Sequence, residues 1–226
     1  MQMSKTLVLN TLSGLGATNN NWGICGINAC MMLLFDFRAG PRRRELINHT
    51  QFHTVLIAIS KWLEKIEQTG DPIKQSIIAF AGDFGMPNGT KLVWDYQKTR
   101  GEILKVLSGD KSQVTEENLA KLEINLPLPP EAVTHFLNSM YGVDAAWEST
   151  SSQTATGIIG VKSPLAKGNT SYGGLGHWIY GGRGKYYTWG SGYDSIKEIK
   201  PWDFEAVYRV YLKSNLNVRT TTQSLG

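Results

Sequence analysis

Two residues far apart in the chain have the types needed for nucleophilic chemistry. Cys25 stands in Asn19-Asn20-Asn21-Trp22-Gly23-Ile24-Cys25-Gly26-Ile27-Asn28-Ala29-Cys30, where a polar, glycine-containing loop runs into the apolar stretch Met31-Met32-Leu33-Leu34. The first N–H groups of a helix lack intrahelical partners, and the positive end of the macrodipole lies there. A thiol at that point is expected to have its pKa lowered and its thiolate favoured. His177 stands in Gly176-His177-Trp178-Ile179-Tyr180, which reads as a strand. An imidazole can take the thiol proton, and the thiolate can then attack a carbonyl carbon. The working expectation is that Cys25 and His177 meet in the fold. The competing expectation is that Cys25 is a small buried hydrophobe; Cys30, inside the apolar stretch, is expected to be an inert core thiol.

The other chemistry-bearing residues form no comparable pattern. Two cysteines make no disulfide framework, and Cys25 and Cys30 at i and i+5 of one helix point to different faces. His49 and His53 have i, i+4 spacing, but no Glu-x-x-His arrangement or further ligand accompanies them, so neither a metal nor a cofactor is expected. His135, inside an apparent helix, reads as a packed or exposed side chain. Arg42-Arg43-Arg44 after Gly40-Pro41 is the dense basic cluster, read as a solvated helix start rather than a phosphate contact. With a formal net charge of +4, the chain carries no strong nucleic-acid signal.

The elements that must position these residues follow from periodicity. The 226 residues are 41% hydrophobic, enough for one core. No run approaches the roughly 18 apolar residues that span a membrane. MQMSKTLVLN has no basic segment followed by a long apolar stretch, so a conventional cleaved signal peptide is not expected. Thr6-Leu7-Val8-Leu9 reads as a short strand and 11–21 as a loop. A helix from about Cys25 to Phe37, apolar nearly all round, should be the buried central one. A clearer amphipathic helix runs from about Arg44 to Gln68, and another starts at Asp71-Pro72. Thr90 is expected to cap a fourth, weakened or divided at Gly101, and Thr115 a short one; Pro130-Glu131 opens a helix through Met140. Residues 148–156 read as a polar connection. Strands are expected at Gly157–Val161, Gly176–Tyr180, Lys185–Trp189 and Ala206–Leu212, with a tight turn at Gly181-Gly182-Arg183-Gly184. Helices first and antiparallel strands last make an α+β fold. The reading is one catalytic domain over 1–214, helical over about 22–142 and sheet over about 155–213, with a flexible tail at 215–226.

At this point the chain resembles the papain-like fold of cysteine peptidases, in which the nucleophile begins a central helix and the histidine lies on a strand of a facing antiparallel sheet. Gly23-Ile24-Cys25-Gly26-Ile27-Asn28-Ala29 resembles the family's Gly-x-Cys segment, and Gly176-His177 its histidine strand. Trp189-Gly190-Ser191-Gly192-Tyr193 is similar to its Trp-Gly-x-Gly-aromatic stretch. These matches cover roughly a quarter of the chain; the segment between 40 and 150 matches no named family. The resemblance implies that Asn19 stands where the family keeps a glutamine in the oxyanion hole, with Asn20 and Asn21 as competitors. It also implies a polar residue that orients the imidazole. Tyr187 occupies the family's asparagine position, and the polar candidates nearby are Thr188, Ser191 and Asp194. Asp194, the carboxylate among them, would best stabilise an imidazolium. Trp22, Trp178, Tyr180, Tyr187 and Trp189 are candidates to line the site.

Small papain-like folds with an unrelated helical insertion look most like bacterial secreted effectors and toxins. The resemblance implies a thiol protease acting on a host protein, secreted without a conventional signal peptide and delivered to a target cell, or else cytoplasmic. A glutamine deamidase using the same dyad, a peptidoglycan amidase toxin held by an immunity protein, and a non-enzymatic binding module on the same scaffold are the alternatives.

Overall fold

Among the described residues, six helices precede a single sheet. A computed structural model describes residues 5–15, 23–41, 46, 51–84, 93–109 and 124–213. The helices are α1 (Lys5–Gly14), α2 (Cys25–Phe37), α3 (Gln51–Gln68), α4 (Ile73–Gly82), α5 (Tyr96–Ser108) and α6 (Pro130–Tyr141). Every residue of α2 from Gly26 to Phe35 is buried, as its lack of a polar stripe predicts. It ends where Arg38 turns left-handed (φ 57°) and donates its N–H back to Leu34 and Phe35. In α3, Val55, Leu56, Ile59, Trp62, Leu63 and Ile66 form the buried stripe. The Asp71 carboxylate accepts from the Ile73 N–H at 2.9 Å at the head of α4, and Asp95 accepts from the Lys98 N–H at 3.0 Å at the head of α5. Pro130 opens α6, and Gly142 (φ 63°) closes it.

Several expectations are corrected. Thr6–Leu9 is helical, not a strand. Val8, Leu9 and Leu12 are fully buried on one side of α1 against α2, and this burial overrides the strand propensity of a short β-branched run. The helix also takes in Thr11–Gly14, the start of the expected loop. Asp95 caps α5, and Gly101 leaves that helix unbroken in open space. Thr90, Thr115, the arginine cluster, His49, Asn19 to Trp22 and the tail at 215–226 lie outside the described residues.

The sheet has six strands in the order β1-β6-β2-β3-β4-β5, with every pair antiparallel. They are β1 (Ala145–Ser149), β2 (Gly157–Lys162), β3 (His177–Gly182), β4 (Lys185–Thr188), β5 (Ser191–Tyr193) and β6 (Glu205–Leu212). Two of them were not expected. β1, which begins before the polar 148–156 segment and runs into it, is an edge strand whose last three residues are exposed, so it has no apolar alternation to read. β5 is three residues of a tight return. The β3–β4 turn has left-handed Arg183 (φ 56°) and Gly184 (φ 73°) at its centre, as a two-residue hairpin requires.

Side-chain alternation divides the sheet into two faces. Ile158, Trp178, Tyr180, Tyr187 and Val210 face the helices and join a core with α1, α2, α3 and α6. Ile159, Val161, Ile179, Tyr186 and Ala206 face the other way and pack with Ile196, Ile199 and Phe204 in a smaller core. By this alternation His177 shares the second face with Ile179, and Thr188 shares it with Tyr186. Gly160, paired with Trp178 across β2 and β3, makes room for the indole: a Cβ there would lie 2.8 Å from Leu175 and 3.0 Å from the Trp178 ring.

Candidate active site

Cys25 is the first residue of α2. The turn into the helix depends on Gly23, whose φ of 57° is left-handed and whose Cβ would lie 3.1 Å from the Leu126 backbone nitrogen. The neighbouring strand closes on the thiol. Trp178, next to His177, donates its indole N–H to the Leu128 carbonyl at 2.8 Å and packs over Gly26. The backbone N–H groups of Trp178, Gly26 and Cys25 itself surround the sulfur and favour its charged form. Burial outweighs them, and the Cys25 pKa is raised above the ordinary thiol value of 9.0. This overturns the expected lowering: the helix terminus supplies its N–H groups, but desolvation of the half-buried thiol outweighs them. Cys30 is fully buried, with Sγ 3.8 Å from the Val133 carbonyl oxygen, and its pKa is raised further.

His177 begins β3. Its Nε2 lies 2.7 Å from the Thr188 hydroxyl on β4. Its ring stacks on Trp189, with centroids 4.6 Å apart and planes 17° apart, and on Phe204 at 5.8 Å and 19°. Burial in this aromatic setting lowers the imidazole pKa from 6.5 to about 4. The resting pair is therefore a neutral thiol and a neutral imidazole.

The stack depends on a strained turn. Trp189 is left-handed (φ 46°) and Gly190 follows at φ 80°. A left-handed conformation is costly for a bulky residue and persists where its surroundings hold it. Here α1 does so: the Ser13 hydroxyl accepts from the Gly190 N–H at 3.0 Å while donating to the Asn10 carbonyl at 2.8 Å.

Cys25 and His177 line one cavity of about 350 Å³. Asn28 and Met32 extend the α2 side, Trp189, Trp202 and Phe204 form an aromatic side, and Ser163 and Lys167 lie on the connecting loop. Asp194 is not part of it. Its side chain is 73% exposed and pairs with Lys185 at 2.6 Å. This corrects the choice of Asp194 as the orienting residue: it falls beyond β5, whereas Thr188 shares the His177 face on the adjacent strand. Exposed Ser191 pairs with Thr188 in the β4–β5 register, and Tyr187 lines the cavity from the helix-facing core. Trp178 and Trp189 also line it, whereas the Tyr180 hydroxyl donates to Asp36 at 2.7 Å. His135 is structural, bonded to the Trp62 indole N–H through Nδ1 at 2.9 Å and to Asp71 through Nε2 at 3.0 Å. His53 lies edge-on to Phe52, 5.9 Å between centroids. The described residues include no group of three or more His, Cys, Asp or Glu side chains that could hold a metal. None of their helices is long and apolar enough to cross a membrane.

No protein-family profile, curated protein or solved structure matches this chain.

Sequence reasoning missed Asn28 and Ser13 as parts of this region. Asn28 had a signal: it is a polar residue at i+3 from Cys25 inside an otherwise apolar helix. Ser13 had none, because its role depends on α1 meeting the β4–β5 turn.

Proposed function

We propose that this chain is a thiol hydrolase of papain-like design, acting on a protein substrate as an effector-type cysteine protease. The observation that carries the proposal is the cavity shared by a helix-terminal thiol and an imidazole braced by Thr188, Trp189 and Phe204. When the Thr188 hydroxyl accepts from Nε2–H, Nδ1 is left bare, which is the tautomer of a general base. Because both groups rest neutral, proton transfer from sulfur to Nδ1 accompanies attack rather than preceding it. The thiolate adds to the substrate carbonyl carbon, and the oxyanion is received by the Cys25 N–H together with an asparagine amide from 19–21. The imidazolium gives its proton to the leaving nitrogen. Water, deprotonated by His177, then releases the acyl group and regenerates the thiol.

The cavity size supports a second product. About 350 Å³ is at the lower end of ligand pockets and suits one inserted side chain better than several residues of extended chain. Deamidation of a glutamine by the same dyad is therefore the second reading. The test is the mass of proteins from a host extract incubated with wild type and with Cys25→Ala. A fragment that needs Cys25 establishes a protease. A Cys25-dependent gain of about 1 Da establishes deamidation by the same acyl transfer. If neither appears, the protein-substrate reading fails.

A further inference from the structure

The cavity shared by Cys25 and His177 is unevenly charged. Among its described lining residues there is no Asp or Glu, and with His177 neutral at rest the one formal charge is that of Lys167. Lys167 also differs from the cations around it. Among the described residues from 145 to 213, every lysine and arginine except Lys167 and Lys197 pairs with a carboxylate, as Lys162 does with Glu205 at 3.1 Å and Lys213 with Asp144 at 3.0 Å. Lys197, on the short turn 196–198, is not part of the cavity. The backbone that carries Lys167 is held on both sides. Before it, the Ser163 hydroxyl donates to the Trp202 carbonyl and accepts from the Leu165 N–H at 3.1 Å, which ties the loop to the aromatic side of the cavity. After it, Gly168 runs so close to Gly174 that a Cβ would lie 1.9 Å from the Gly174 carbonyl oxygen. Asn169 is fully buried, with Nδ2 donating to the Phe80 carbonyl of α4 at 2.7 Å and Oδ1 accepting from the Tyr172 N–H at 3.1 Å. None of these contacts uses the exposed Lys167 side chain, so the loop is fixed without it and packing does not call for a lysine there.

We infer that Lys167 selects for a carboxylate on the group that enters beside Cys25, so that the preferred protein substrate presents an Asp or Glu side chain next to the attacked carbonyl. This rests on the thiol-hydrolase reading and assigns the charge of its substrate. The attraction acts through space and needs no contact, because apolar cavity walls focus the field of a wall charge on the occupant. No carboxylate among the described lining residues opposes it. One ammonium balances one carboxylate, whereas a phosphate group, with nearly two negative charges, calls for further donors. A Lys or Arg of the substrate at the same place is repelled, so the one residue supplies discrimination as well as attraction.

The test compares two thiol reagents of nearly the same shape, iodoacetate and iodoacetamide. Each forms an S–CH2 bond with Cys25 and releases iodide, but the first carries –COO⁻ where the second carries –CONH2. Alkylation of Cys25 in the full chain is followed by peptide mass at low ionic strength, and each rate is divided by that of the same cysteine in urea. The normalised iodoacetate-to-iodoacetamide ratio should fall by roughly threefold from wild type to Lys167→Gln, and further in Lys167→Glu. Both variants change only an exposed side chain, and circular dichroism checks their fold. About 0.5 M sodium chloride should remove most of the difference. A ratio that is the same in wild type and both variants overturns the inference and leaves the hydrolase reading intact. A difference that persists undiminished at high salt reports shape rather than charge and also overturns it. Cys25 reacting no faster than Cys30 with either reagent overturns the hydrolase reading and the inference with it.

Discussion

The two faces of the sheet hold their catalytic candidates in different ways. On the helix side the thiol is set by mass of packing: α2 is buried all round, and Trp178 is fixed over its start through Leu128. On the other side the imidazole is set by a few directed contacts, namely one hydroxyl, one indole and one phenyl ring. The first arrangement tolerates little change in volume but asks nothing particular of each apolar side chain. The second buries less but depends on the identity of Thr188 and Trp189. Perturbing the helix side should therefore cost stability first, and perturbing the other side should change titration and rate first.

The largest effect tests the pair that joins the faces. Cys25→Ala should lower turnover by roughly 10⁴-fold or more, with His177→Ala close behind, since groups acting as a unit are each indispensable. Cys30→Ala should retain turnover within about threefold while losing about 1–2 kcal/mol of stability in urea denaturation. Comparable turnover in Cys25→Ala would end the proposed function.

Next in size is the contrast between two tryptophans. Trp178→Ala removes a nearly fully buried ring and its bond to Leu128, and should cost about 3–5 kcal/mol. Trp189→Ala should cost less in chemical denaturation but move the His177 titration upward from about 4, because the ring that excludes water is gone. The imidazole resonances against pH report this shift. An unmoved titration would show that the stack does not set it.

The same titration links pH to stability. His177 is depressed to about 4 in the fold against an ordinary 6.5, so between these values the unfolded chain binds more protons. Its contribution is fully present above pH 6.5 and is lost as pH falls towards 4, up to about 3 kcal/mol. Denaturation midpoints of wild type should fall over this window more than those of His177→Gln. The raised Cys25 pKa gives the opposite side of the comparison: alkylation of the substrate-free protein should climb past pH 9, with no plateau near neutrality.

The smallest effect separates the two proposed orienters. Thr188→Val keeps the shape and removes the hydroxyl at 2.7 Å, and kcat/KM should fall by about tenfold, the worth of one hydrogen bond. Asp194→Asn, which touches only Lys185 and the surface, should change kcat/KM by less than about twofold. Reversed magnitudes would return the role to Asp194.

Much of the architecture was legible. The bounds of α2 follow from a continuous apolar run with a polar loop before it. Pro130 and Gly142 bracket α6 for reasons of backbone chemistry alone. The hairpin at Arg183-Gly184 needs left-handed residues and shows them. Short elements whose signal lies in their neighbours were not legible. α1 is a helix because Val8, Leu9 and Leu12 find α2, and β1 is a strand because β6 offers an open edge.

Of the site, the sequence by itself determined the reactive types and their supports: a cysteine at a helix start, a histidine at a strand start, and a Trp-Gly turn one strand later. Those depend on local composition and periodicity, which a chain carries wherever it goes. Tertiary structure alone decided which hydroxyl meets Nε2, that Asp194 points to Lys185, and that the thiol pKa rises rather than falls. Each of those depends on what surrounds a group in three dimensions. Burial and hydrogen-bond partnership are sums over neighbours distant in sequence, and no local pattern records them.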